Sequence, residues 1–152
     1  MAEVLVFRAG PLHDPAASLN HPLIRAVHDL RPAGRPGFDD TIFCSLTYAA
    51  AVMWSDWAIN THSPAGVEVT TVAAVSDNVW IYPFGLWEDI HAAHDDGQDI
   101  TLTARAYWQS GQRWTDRTDR AQLVADDPYT WEAIVPVADI RDTQIALRVD
   151  AA

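Results

Sequence analysis

Asp99-Ile100-Thr101-Leu102-Thr103-Ala104-Arg105-Ala106-Tyr107-Trp108-Gln109 is the stretch on which the fold class turns. Ile100, Leu102, Ala104, Ala106 and Trp108 alternate with Thr101, Thr103, Arg105, Tyr107 and Gln109. Side chains two apart share a face of a strand, so the alternation predicts a half-buried strand. The same beat returns at Tyr129, Trp131, Ala133, Val135 and Val137, and again at Ile145, Leu147 and Val149.

Working outward, residues 67–75 and 78–82 read as a pair of strands around Ser76-Asp77, stopped by Pro83-Phe84-Gly85. Residues 86–94 have room for one or two helical turns. The segment 41–61 is rich in β-branched and aromatic residues and reads as strands at 41–48 and 51–60, although Tyr48-Ala49-Ala50-Ala51-Val52-Met53 also suits a helix. Residues 110–128 read as a polar loop with a short apolar stretch from Ala121 to Val124. Near the N-terminus, residues 3–8 predict a strand stopped by Gly10 and Pro11. Pro22 opens a short helix capped by Ser18 or Asn20, with Leu23, Val27 and Leu30 on one face.

About eight short strands separated by turn residues, without the long helices of parallel crossovers, predict an all-β fold. The expected architecture is an antiparallel β-sandwich, immunoglobulin-like or jelly-roll-like. Five of the nine prolines fall in the first forty residues. Residues 1–38 are therefore expected to form a strand, arm and short helix laid on a sandwich domain spanning 39–152.

Composition excludes several partners and chemistries. The formal charge of -11 argues against a nucleic acid or an anionic membrane surface as partner. The chain has no lysine, ten arginines, seventeen aspartates and four glutamates, so Schiff-base chemistry is excluded. A single cysteine, Cys44, excludes an internal disulfide and a thiolate metal cage; its apolar neighbours mark it as a core residue. Met1-Ala2-Glu3-Val4-Leu5-Val6-Phe7 shows no basic leader ahead of a long apolar run. The expectation is cytoplasmic synthesis without a signal peptide. No run approaches the ~20 apolar residues of a membrane helix.

Seven tryptophans are the chain's most telling resource. Trp108 and Trp131 lie on the apolar beat and are expected in the core. Trp114, in a polar loop, and Trp54, Trp57 and Trp87 are candidates for contact with a partner, since indole is enriched at interfaces and on sugar-stacking platforms. Arg113, Arg117 and Arg120 alternate with Asp116 and Asp119, while Pro36 to Ala104 holds ten acids and no arginine. That asymmetry suits docking of a basic loop onto an acidic face of another copy. His91 and His94 share a helical face, and with Asp95 they form a weak metal candidate. His13-Asp14 and His28-Asp29 are sequence neighbours whose geometry does not make dyads.

The closing strands, Tyr129 to Val137 and Thr143 to Asp150, with Gly111-Gln112-Arg113-Trp114 ahead of them, resemble the closing hairpin of immunoglobulin-like starch-binding modules. The resemblance covers under a third of the chain and implies an exposed tryptophan stacked on a sugar ring. The functional expectation is a non-enzymatic interaction module without a cofactor. It would act as a structural subunit of a protein assembly, with itself or another subunit as partner, through its N-terminal arm and the Arg/Trp loop. The alternatives are a glycan-binding module that holds an oligosaccharide on exposed tryptophans, and a small metal-dependent enzyme using His91 and His94.

Overall fold

The computed structural model describes residues 2–12, 15–61, 66–126 and 129–150. Its strands are β1 (Glu3–Ala9), β2 (Thr41–Ser45), β3 (Val67–Val75), β4 (Trp80–Pro83), β5 (Gln112–Arg113), β6 (Trp131–Pro136) and β7 (Ile140–Val149). They form one antiparallel sheet in the order β5-β4-β6-β2-β1-β3-β7. The α-helices are α1 (Pro22–Asp29), α2 (Tyr48–Thr61), α3 (Phe84–Asp95), α4 (Thr101–Ser110) and α5 (Arg120–Asp126). The antiparallel pairing expected from the sequence is present. The all-β expectation fails, and one sheet with helices packed on it stands where two facing sheets were expected.

The decisive correction is residues 101–110, which form α4 rather than a strand. Ile100, Ala104, Tyr107 and Trp108 face the core in an i, i+4, i+7, i+8 stripe. Leu102, placed inside by the alternation, is 78% exposed. Ile100, Ala104 and Trp108 satisfy a period of two and a period of 3.6 alike, so the apolar beat does not separate the two readings. Asp99 opens the helix: its carboxylate accepts from the backbone N–H and the hydroxyl of Thr101 at 2.8 and 2.6 Å.

Residues 51–60, read as a strand, belong to α2. Thr47 Oγ1 accepts from the Ala50 N–H at 3.1 Å at its start, and the alanine run favours the helix. Helix α3 is likewise longer than one or two turns. Helix α1 begins at Pro22 as expected, but its cap is His21, whose Nδ1 accepts from the Leu23 N–H, rather than Ser18 or Asn20.

Two expected hairpins are absent. Strand β3 pairs with β1 and β7, whereas β4 pairs with β5 and β6. Strand β6 pairs with β2 and β4, so the two closing strands do not meet. These pairings force the sheet to curl. Between β3 and β4 in the sheet lie β1, β2 and β6, a separation of roughly 19 Å if flat. Only Ser76–Val79 connect them, and a 3-10 turn shortens that link well below the ~17 Å of an extended chain.

Curling gives the sheet two cores. The inner one gathers Val4, Val6, Ile42, Cys44, Val72, Ile81, Ala133 and Val135, closed by Leu123 of α5. The outer one holds α1, α3 and α4 against β2, β4 and β6 through Leu23, Val27, Phe38, Ile90, Trp108 and Ile134. Phe38 stacks on Trp108 with centroids 5.2 Å apart, and Trp108 Nε1 donates to the Val27 carbonyl at 2.9 Å. Strand β1 lies between β2 and β3, and Leu23 and Val27 of α1 are buried.

Candidate functional site

Strands β1 and β2 are joined at one registered pair, Phe7 with Ser45, and then diverge. Beyond that pair the Arg8 guanidinium of β1 donates from Nη1 to the Phe43 carbonyl of β2 at 2.7 Å. Its Nε donates to the Pro11 carbonyl at 3.2 Å. Over this split lies a cleft of about 980 Å³, walled by α2 and α3 and floored by β2 and β6. Trp54 of α2 and Phe84 of α3 meet across it with ring centroids 4.6 Å apart. Trp87 and His91 follow along α3, their rings 5.3 Å apart, and Glu88 and Asp95 stand at the rim.

Ser45 and Glu132 are registered partners across β2 and β6, so both side chains rise from the same face of the floor. Glu132 is the anomalous group. Its Oε1 is sealed from solvent and has no hydrogen-bond partner. Burial pushes its carboxyl up to about 8, against the opposing pull of Arg8. The two are not in ion-pair contact, so the neutral and ionised forms of Glu132 are close in free energy near neutral pH. Burial also lowers the Arg8 pKa, with Cys44 and Glu132 acting to raise it; a guanidinium remains charged nonetheless. Cys44 is a different case, since burial pushes its thiol up to about 12 and leaves it inert at neutral pH.

Of the residues proposed from sequence, Trp54, Trp87, His91 and Asp95 converge on this cleft. The side chain of Trp57 lies outside the described residues, as does His13-Asp14. His94 is exposed on α3, and the described residues contain no group of three or more His, Cys, Asp or Glu side chains placed to hold a metal ion. His28 is buried, its Nδ1 accepting from the Phe38 N–H at 3.1 Å.

The Arg/Trp loop lies elsewhere, with its cations already partnered. Arg117 is bidentate to Asp119 at 2.8 Å on both arms and sits over Trp131, 5.4 Å from the ring centroid. Arg113 lies over Trp80 and Arg120 over Trp114. Trp114 itself is half-buried against the inner core.

No protein-family model, curated protein or solved structure matches this chain. No helix among the described residues is long and apolar enough to cross a membrane.

The residues that sequence reading missed are Arg8 and Glu132. A signal was present for the second. Trp131-Glu132-Ala133-Ile134-Val135 belongs to a strand buried on both faces, where a carboxylate is the one residue with no reason to be there for packing alone. Arg8 carried no such mark, because its place depends on where β1 and β2 separate.

Proposed function

We propose that this protein is an enzyme that binds a small, polar, ring-bearing substrate in the cleft and transfers protons through Glu132. The observation that carries the reading is a half-buried glutamate on the floor of a large concave site, one of its oxygens sealed and unpartnered, with a pKa suited to acid–base work near neutrality. The walls indicate the substrate's chemistry. Trp54, Phe84 and Trp87 offer apolar faces to a flat ring or a sugar ring. Arg8 offers a charge that suits a phosphate or carboxylate, with no carboxylate in ion-pair contact among the described residues. Glu132 accepts from a hydroxyl. A nucleotide or a sugar phosphate combines all three features.

The cleft is a stronger lead than the interaction module, because Arg117 of the docking loop is closed on Asp119 while Arg113 and Arg120 lie over indoles of the same chain. The glycan alternative survives in altered form, with Trp54 and Trp87 lining the cleft instead of an open platform.

The test is tryptophan fluorescence titrated with a panel of nucleotides, sugar phosphates and neutral oligosaccharides, on the wild type and on Arg8→Met. Saturable quenching by a phosphorylated member, weakened at least tenfold in Arg8→Met, supports the reading. Quenching by neutral oligosaccharides alone, insensitive to Arg8→Met, returns the site to simple glycan binding. No response from any compound removes the proposal.

A further inference from the structure

Two buried side-chain polar atoms among the described residues have no hydrogen-bond partner: Glu132 Oε1 and Tyr107 Oη. Their scaffolds are coupled. Glu132 pairs with Tyr82 across β6 and β4, and Tyr82 stacks on Tyr107 of α4 with centroids 4.6 Å apart and planes 17° apart. Tyr107 is fully buried and held on its other sides by Trp87 and Trp108. Burial first, then the charges of Glu132 and Tyr82, hold its proton on well above the ordinary tyrosine range, so it is a permanent donor. A buried donor and a buried acceptor, both orphaned, with the charge of Glu132 acting on Tyr107, call for an explanation beyond packing.

We infer that Tyr107 is a positioning residue for Glu132, its hydroxyl donating to the ionised carboxylate directly after a small side-chain shift or through one water. This inference rests on the acid–base reading of the cleft for its purpose. Proton balance is simple. When Glu132 yields its proton, Tyr107 keeps its own and turns Oη–H toward Oε1. When Glu132 is reprotonated, the carboxyl O–H points back to Oη.

Other titratable groups stand near Glu132, and of these Arg8 acts on its charge. Arg8 on β1 favours the anion, and Cys44 on β2 is neutral. Tyr82 on β4 is held protonated by burial and accepts from Arg35. Glu88, His91 and Asp95 of α3 line the same cleft. Tyr107 differs from these in having a buried hydroxyl with no partner of any kind.

The chain has four glutamates and four tyrosines, which makes the test tractable by NMR on the whole protein. With ¹³C at glutamate Cδ, Glu132→Gln identifies the Glu132 signal. Tyr107→Phe is expected to move its midpoint upward by roughly one pH unit, the size of a single hydrogen bond to an ionised group. An unchanged or lowered midpoint overturns the inference. A second measurement needs no Tyr107 variant. With ¹³C at tyrosine Cζ in the wild type, one tyrosine signal is expected to step at the Glu132 midpoint, and the step is expected to vanish in Glu132→Gln. If no tyrosine signal follows Glu132, the inference fails even where Tyr107→Phe does not fold. Neither measurement uses a ligand, so an unresponsive ligand panel sinks the enzyme reading while leaving this one standing.

Discussion

The cleft over β2 and β6 and the loop around residues 110–120 are built from the same residue types, and they end in opposite states. In the loop every arginine lies over an indole, and Arg117 also closes on Asp119. In the cleft, Arg8 is bound through backbone carbonyls, Glu132 has an oxygen with no partner, and the indoles of Trp54 and Trp87 line the wall. The loop looks more like a binding surface in the sequence because its polar residues sit among turn formers. The cleft is the better candidate because chemistry needs groups whose bonding capacity is not yet used.

The contrast can be broken most forcefully at Glu132. Glu132→Gln is expected to lower turnover of any substrate found by about two to four orders of magnitude, the usual weight of a general acid–base group. The same variant has a signature in stability. The folded carboxyl titrates near 8 against an ordinary 4.5, so the native state holds a proton that the unfolded state has lost across that interval. Stability therefore falls as pH rises from 4.5 towards 8, by roughly 3 kcal/mol at pH 7, and is insensitive to this group below both values. Urea denaturation between pH 4.5 and 8 should show that slope in the wild type and its loss in Glu132→Gln. Equal slopes in the two proteins would mean that Glu132 ionises freely and the cleft is not special.

Arg8→Met comes next. Removing the guanidinium takes away a charge-assisted hydrogen bond to the Phe43 carbonyl at the β1–β2 split and is expected to cost about 2 kcal/mol in a urea melt, together with the loss of affinity for phosphorylated ligands. It should also move the Glu132 midpoint further upward, because the one cation favouring its anion is gone.

The smallest effect belongs to the loop. Replacing Arg113, Arg117 and Arg120 together by Ser should change stability by less than about 1 kcal/mol, since exposed pairs contribute little. Light scattering should show the same particle mass as the wild type. A fall in mass at low salt would restore the loop as a docking patch and dissolve the contrast.

Much of the strand content was legible residue by residue. Glu3 to Ala9, Thr41 to Ser45, Val67 to Val75 and Trp131 to Pro136 carry β-branched and aromatic runs bounded by turns, and each is a strand. Ile145 shows the limit of the beat: it keeps the alternation of β7 yet is 65% exposed, because β7 is an edge strand with a bulged pairing. The sequence presents Trp54 and Trp87 as contact candidates and His91 with Asp95 as part of a metal candidate, with no sign that α2 and α3 bring the two sets to one cleft.

Local chemistry, then, was enough to determine where backbone segments favour extension, where Pro22 starts a helix, and that Cys44 is an inert core thiol. The choice between strand and helix at 100–108 was made by the surroundings, since Ile100, Ala104 and Trp108 fit both periods and only the shape of the outer core selects one. The order of the strands, the split beside Arg8 and the sealing of Glu132 Oε1 were likewise settled by packing between segments distant in the chain. A pKa depends on what surrounds a group in space, and neighbours along the chain carry little of that information.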